Sequence, residues 1–390
     1  MSQEILAIRS LDISQASPFL ERAWCKISAE NPTAKLWVAG QPKDVSLPSY
    51  AQSRRWLLPD DARSSRATTV ISWSIPNERT LEEAALFSGQ QMVPGPLLAV
   101  YALADKRATK DLFARFGLPT PSSVVLDRGF TQGELIRPEF RVRLEQQLAS
   151  SLHYPIIMKP LWDCMGHGAL VVRCPSQLNA AIQEVEGGRD LLIEEFIEGQ
   201  AGSIEIFGEP GDYHFQPPCW TGSSSNGILS GFDALRISHP NLFFEVLTDS
   251  IYEAIAAMLS ELSFRGACCV DFVTDGVDLF MLEVNPRVSG ASCLSAAASG
   301  IDAYEATYRI ARRQWSERLE QETAGGAAIQ AGGEWVAFLK KVIDDAAQPI
   351  EWYRDGEINV DGITSPSAIV GGSAAVIEHL AERLKLMPPW

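Results

Sequence analysis

Asp271-Phe-Val-Thr-Asp-Gly-Val-Asp-Leu-Phe-Met-Leu-Glu283-Val-Asn285-Pro286-Arg287 reads as two short strands joined at Asp275-Gly276. The Asp-Gly pair between apolar runs predicts a hairpin, with strands over 267–273 and 279–284. Asp271 then stands on one strand, with Glu283 and Asn285 on its neighbour. The two-residue strand period puts Glu283 and Asn285 on one face. Two carboxylates and an amide oxygen form a hard, oxygen-only set suited to Mg²⁺, with Mn²⁺ as the alternative. Phosphate oxygens and water would complete the shell. A turn with exposed acids would use similar letters. These acids, however, interrupt apolar strands, where an unpaired charge is costly. Arg287 follows directly, and its planar fork suits a carboxylate or a phosphoryl oxygen. Ser289 and Ser292 add hydroxyls nearby.

Upstream, Pro155-Ile-Ile-Met-Lys159-Pro160 is a strand ending in lysine. It runs into Asp163-Cys-Met-Gly166-His167-Gly168. Glycines let backbone N–H groups approach phosphate oxygens and the lysine adds a point charge, so this is a phosphate cradle in outline. On its own such a loop marks only a hairpin, and His167 reads as a surface loop residue. Leu191-Leu-Ile-Glu194-Glu195-Phe196-Ile197-Glu198-Gly199 is an apolar strand leaving into acids around an aromatic group. That pattern fits an adenine pocket as well as a solvated strand end. Ala104-Asp105-Lys106 heads a helical stretch over 98–116 that stops at Gly117-Leu-Pro-Thr-Pro121.

Taken in order, DK…GLPTP, PIIMKP…GHG, EEFIEG and DF…LEVNPR resemble the ATP-grasp superfamily, and within it the carboxylate–amine ligases. The likeness covers roughly residues 93–310. It implies an α/β fold with a Rossmann-like pre-ATP-grasp domain over 1–104 and a small lobe over 105–190. A large lobe with the metal site and C-terminal strands follows over 191–390, and ATP lies between the two β-containing lobes. It further implies that Lys106 and Lys159 contact ATP phosphates beneath the Gly166–Gly168 loop. Glu194, Glu195, Phe196 and Ile197 would line the adenine, Glu198 would meet the ribose, and Asp271, Glu283 and Asn285 would hold magnesium. Many amino-acid ligases of the superfamily carry an acid two residues after the hinge glycine. Here that position is Ala201, and Glu205 comes later.

The rest of the chain fits this frame. Short apolar runs at 5–8, 36–38, 56–58 and 70–73 predict a parallel sheet with a helix over 80–88. No GxGxxG follows the first strand, so a dinucleotide site is not supported. A charged stretch over 128–153 reads as a solvated helix or an insertion. Two β-rich units are expected, 156–159 with 169–173 and 191–197 with 203–207. A helix over 244–262 precedes the hairpin, residues 323–333 read as a loop, and strands and a last helix near 374–386 complete the chain. Net charge is −16 over 390 residues. Such an acidic surface repels phosphate backbones and anionic lipid, which excludes nucleic acid and membranes as general partners. Seven cysteines without a CxxC pair, no signal-like N-terminus and no long apolar run point to a reduced, cytoplasmic protein.

The resemblance implies the reaction. A carboxylate becomes an electrophile when ATP converts it to an acyl phosphate, and an amine then attacks. Lys159 and Arg287 are the expected catalytic charges, and small-molecule carboxylates and amines the partners. The acceptor region is expected between Cys219 and His239, with Arg236 a second carboxylate ligand. A homodimer is compatible with this reading. A bicarbonate-using carboxylation enzyme and a nucleotide-binding regulator without turnover are the alternatives.

Overall fold

The computed structural model describes residues 5–9, 18–39, 47, 49–54, 57, 59–60, 66–127, 138–162, 168–184, 190–224, 234–315, 326–344, 349–360, 363–386 and 388–389. The N-terminal region builds β1 (Ile5–Arg9), α1 (Phe19–Glu30), β2 (Lys35–Ala39), β3 (Ala51–Arg54), β4 (Thr69–Ser72), α2 (Glu78–Ala85) and β5 (Gln91–Val93). Its five strands are parallel, in the order β3-β2-β1-β4-β5. Their apolar residues are buried as a doubly covered parallel sheet requires. The third strand lies at Ala51–Arg54 rather than at 56–58, where only Leu57 is described and is not in a strand.

The helix expected over 98–116 is two helices, α3 (Leu97–Ala104) and α4 (Lys106–Arg115). Asp105 breaks them apart: its backbone is extended and its carboxylate accepts from the N–H groups of Arg107 and Ala108. The break places Lys106 at the first position of α4.

Next come β6 (Ser123–Leu126), α5 (Pro138–Ser151), β7 (Ile156–Pro160), β8 (Leu170–Val172), α6 (Pro175–Glu184) and β9 (Leu191–Glu195). They form a small lobe around an antiparallel sheet, β6-β9-β7-β8. β9 pairs with β7 and β6, not with the strand that follows it. The small sheet therefore extends past residue 190, the expected lobe boundary.

The large lobe contains β10 (Gln200–Glu209), β11 (Asp212–Phe215), β12 (Cys219–Ser223), β13 (Arg236–Ser238), α7 (Asp249–Glu261), β14 (Gly266–Thr274) and β15 (Leu279–Asn285). It continues through α8 (Ser292–Ser299), α9 (Ala303–Ala311), β16 (Gly326–Gly332), α10 (Trp335–Asp344), β17 (Glu351–Val360), β18 (Ile363–Ser373) and α11 (Ala374–Arg383). Its strands make a nine-stranded sheet in the order β15-β14-β10-β12-β13-β16-β18-β17, with β11 on β10.

The segment expected as a loop over 323–333 is therefore β16, a buried strand between β13 and β18. Its small residues serve helix packing: a Cβ on Gly326 would stand 2.6 Å from the Ala298 carbonyl of α8. α7 is shorter than expected and begins after Thr248.

The N-terminal sheet is fixed to the large lobe through α9. Trp73 donates its indole N–H to Thr307, and Lys26 pairs with Glu305. Among the described residues, no helix is long and apolar enough to cross a membrane.

Candidate active site

The hairpin β14–β15 aligns Asp271 with Glu283 and Cys269 with Asn285, and the register shifts just after Asp271. The three expected oxygen ligands therefore meet on one face. The Asn285 amide donates to Asp271 at 2.8 Å and to Glu283 at 3.2 Å, bridging the two carboxylates. Burial, followed by the Glu283 charge, pushes the Asp271 carboxyl up to about 7. Glu283 is half-buried, and Lys106 and Lys159 outweigh the cost of that burial and hold it down at about 2. Two carboxylates facing each other with one N–H₂ between them form a site that gains from a cation.

Among the described residues, no group of three His, Cys, Asp or Glu side chains makes a self-sufficient metal cage. Two carboxylates and an amide are instead the partial oxygen set of an ion that shares its shell with phosphate, so the donors fit Mg²⁺ in that form.

Lysines surround this pair. Lys106, buried at the start of α4, places its ammonium 3.4 Å from Glu283. Lys159, at the end of β7, forms an ion pair with Glu194 on the adjacent β9. A residue the motifs did not single out completes the group: Lys110 lies 2.8 Å from the other Glu194 oxygen. It also donates to the Thr120 hydroxyl and the Met281 carbonyl. Lys106 and Lys110 are four residues apart on one helix, which places them on the same face. That spacing was the available signal.

Burial would raise the Glu194 carboxyl, but Lys159 and Lys110 hold it below its ordinary range. Lys159 is raised, its burial outweighed by the Glu194 and Glu283 charges. Lys110, chiefly through burial, is lowered. Glu194 was expected on the adenine side, yet it directs its carboxylate to the two lysines. Its neighbour Glu195 accepts from the His153 backbone and ring. Phe196 and Ile197 are half-buried and Glu198 is exposed. Ser224 donates to the Ile197 carbonyl at 2.7 Å and accepts from the Gly199 N–H at 3.0 Å, fixing the link into β10.

Arg287 is buried beside the hairpin and donates to Asn285 Oδ1 and to the Val288 carbonyl, each at 3.3 Å. Among the described residues its Nε has no partner. Ser289 and Ser292 donate to the two oxygens of Glu205, each at 2.5 Å. Glu205 lies on β10 opposite Cys269. Burial raises its carboxyl, which the two hydroxyls only partly counter. The sequence signal for Glu205 was an acid inside the apolar run Ile204–Phe207.

Arg236, on β13, is half-buried within electrostatic reach of Cys219 and Asp271. Gly168 is exposed with φ +69°. Gly166, His167 and residues 225–233 of the expected acceptor region lie outside the described residues.

The comparisons with known proteins agree with this architecture. The family model "Carbamoyl-phosphate synthase L chain, ATP binding domain" matches residues 244–319. By sequence, the chain is 26% identical over 208 residues to a carbamoyl-phosphate synthase of Methanobrevibacter smithii. That match covers 52% of this chain and 51% of the relative, so the chain spans about half that protein's length. By structure, it is similar to an L-amino acid ligase from Bacillus licheniformis, with TM-score 0.69 and 16% identity over 99% of this chain and 98% of the other. It is also similar to N5-carboxyaminoimidazole ribonucleotide synthetase from Thermus thermophilus, with TM-score 0.70 and 18% identity over 99% of both chains. In fold, with two β-containing lobes and Lys106, Lys159, Asp271, Glu283 and Asn285 brought together between them, the chain is similar to these solved structures.

Proposed function

We propose that the chain is an ATP-dependent carboxylate–amine ligase that forms an amide through an acyl phosphate and releases ADP and phosphate. The observation that carries this reading is that Lys106 lies 3.4 Å from Glu283 on the hairpin while Lys159, paired with Glu194, lies within electrostatic reach of the same Glu283, with Arg287 adjoining Asn285. In the working complex Lys106 and Lys159 would turn from their carboxylate partners to ATP phosphates. Asp271, Glu283 and Asn285 would hold Mg²⁺, which when bound neutralises phosphate charge. The backbone between Glu195 and Ile197 would border the adenine. Arg287 would orient the substrate carboxylate, and Glu205 would fix the serine loop after it. Positioning and charge neutralisation of this kind are what phosphoryl transfer requires of a protein.

The test uses hydroxylamine in place of the amine. Screening amino acids and small metabolic acids with Mg-ATP should yield a hydroxamate from the true donor, together with ADP. AMP as the product, or no ADP with any acid at high concentration, would overturn the reading. A second reading, bicarbonate as the carboxylate, is supported by the likeness to the carbamoyl-phosphate synthase and to the N5-carboxyaminoimidazole ribonucleotide synthetase. It requires bicarbonate-stimulated ADP release without a stable hydroxamate.

Arg287→Ala separates the substrate carboxylate from the nucleotide. A hydrogen-bonded charge contact contributes roughly 1.5–3 kcal/mol, so the variant should lose about 10- to 100-fold in kcat/KM for the acid. Fluorescent-nucleotide affinity should stay near that of the parent. Normal carboxylate kinetics in the variant would remove Arg287 from the site.

A further inference from the structure

We infer that Asn285 is a two-way amide: in one orientation it ties up Arg287, and in the other it holds the metal and releases Arg287 to the substrate carboxylate. Binding of the acid would then wait on the metal. Asn285 acts through Arg287 and is in that sense a positioning residue. The inference rests on the ligase reading for the roles of metal and carboxylate, while the hydrogen bonds that motivate it do not.

Asn285 stands between two kinds of group. On one side its N–H₂ donates to Asp271 at 2.8 Å and to Glu283 at 3.2 Å. On the other its Oδ1 accepts from Arg287 Nη2 at 3.3 Å. An ionised carboxylate only accepts and a guanidinium only donates. This is therefore the one orientation of the amide that satisfies all three neighbours.

Ligation of a cation demands the opposite orientation. A hard cation takes oxygen ligands, so Asn285 must present Oδ1 to it and its N–H₂ to Arg287. Two donors would then face each other, and the bond between Asn285 and Arg287 is lost. The turn itself costs little, because the terminal torsion of asparagine is broad and two-fold.

The turn releases a ready-made fork. Nη1 of Arg287 donates to the Val288 carbonyl at 3.3 Å and stays anchored there. Nε has no partner among the described residues, although Arg287 is only 8% exposed. A buried donor left unsatisfied is costly, which points to a ligand that completes it. Nε and Nη2 share one edge of the planar guanidinium. Freed from Asn285, that edge offers the two parallel N–H groups that a carboxylate accepts. Before the turn it offers Nε alone. The coupling is reciprocal: a carboxylate that takes Nη2 favours the metal-holding orientation of Asn285.

Equilibrium binding of acetate to the full chain with saturating ADP, followed by ligand-observed NMR, tests this without turnover. One arm contains Mg²⁺ and the other EDTA. A hydrogen bond to a charged group is worth roughly tenfold or more, so the parent should bind acetate about tenfold more tightly with Mg²⁺. Asn285→Leu keeps the shape but removes the oxygen that occupies Nη2. In EDTA it should bind acetate about as tightly as the parent does with Mg²⁺. Asn285→Ala makes the same test if the leucine variant misfolds. Asn285→Asp keeps an oxygen towards Arg287 in either orientation, so it should bind acetate weakly in both arms. Arg287→Met should bind none.

Plain attraction between metal and acetate would leave the EDTA affinity of Asn285→Leu at the parent's level. That result in the folded variants would overturn the switch, as would a parent indifferent to Mg²⁺ or acetate retained by Arg287→Met. Hydroxamate formation by a chain whose acetate affinity ignores Mg²⁺ would keep the ligase reading and end the switch. The expected Asn285 pattern in a chain that never yields a hydroxamate would do the reverse.

Discussion

Glu283→Gln should leave the chain folded and lower Mg²⁺-dependent ADP release by at least about a hundredfold, the scale of losing one preorganised charge-stabilising group. The geometry gives Glu283 two tasks at once. It faces Asp271 across the hairpin as half of the carboxylate pair, and it receives the Lys106 ammonium at 3.4 Å. A glutamine keeps the shape and one oxygen but removes the charge on which a divalent cation depends.

The fold should tolerate the change because two effects oppose each other. Losing the Lys106 contact costs about 1.5–3 kcal/mol. Removing the carboxylate that faces Asp271 relieves the repulsion that, after burial, holds the Asp271 carboxyl up at about 7. Manganese EPR with a non-hydrolysable nucleotide gives a readout independent of turnover: bound Mn²⁺ should fall in step with activity. Full ADP release from a well-folded variant would dismiss the metal assignment.

The convergence of Asp271, Glu283 and Asn285 was legible because they are chemical exceptions inside strongly patterned strands. A charge in an apolar alternating segment has few stable uses, and the Asp275-Gly276 turn fixes which strands face each other. Gly276, at φ +98°, holds the backbone that this turn needs. Lys159 was legible for the same reason.

What escaped the sequence depends on long-range partners. β9 has the same local pattern whether it joins the strand after it or β7 before it. That choice follows from the packing of Leu191 and Ile193 against Ile156, Met158 and Leu178. β16 reads as a loop because alanine and glycine have weak strand preference. Their small size lets α8 approach the sheet, which is visible only once α8 is in place. Lys110 and Glu205 carry only local signals, a four-residue helical spacing and an acid within an apolar run, which do not name their partners until the fold buries both. The split between α3 and α4 was closer to legible, since aspartate before a helical run is a strong cap.

Glu194→Gln should have the largest effect on stability, about 3–5 kcal/mol, the cost of breaking a buried ion pair by removing one partner. Glu194 is 1% exposed and is shared by two ammonium groups from different elements, Lys110 on α4 and Lys159 on β7. The amide keeps the volume but leaves the two ammonium groups facing each other without their shared carboxylate, with the more distant Glu283 charge to offset them.

Lys110→Met should cost much less. It leaves Glu194 and Lys159 as a one-to-one pair and removes an ammonium whose charged form burial already disfavours. The asymmetry is the test, measured by urea unfolding: equal losses for the two variants would mean that shape, not charge, holds this site together.

Acidity supplies a second check with a definite sign. The Glu194 carboxyl is held below its ordinary 4.5 in the folded chain. Its contribution is therefore present above about pH 4.5 and lost as pH falls through the folded value. The gap between parent and Glu194→Gln should be full at pH 7 and narrow progressively below pH 4.5. A gap that does not change with pH would show that the lost stability came from packing. A gap that closes in acid would place the opposed charges at the junction of the two lobes. There Lys159 is held by Glu194 on the small sheet, within reach of the Glu283 charge on the large one.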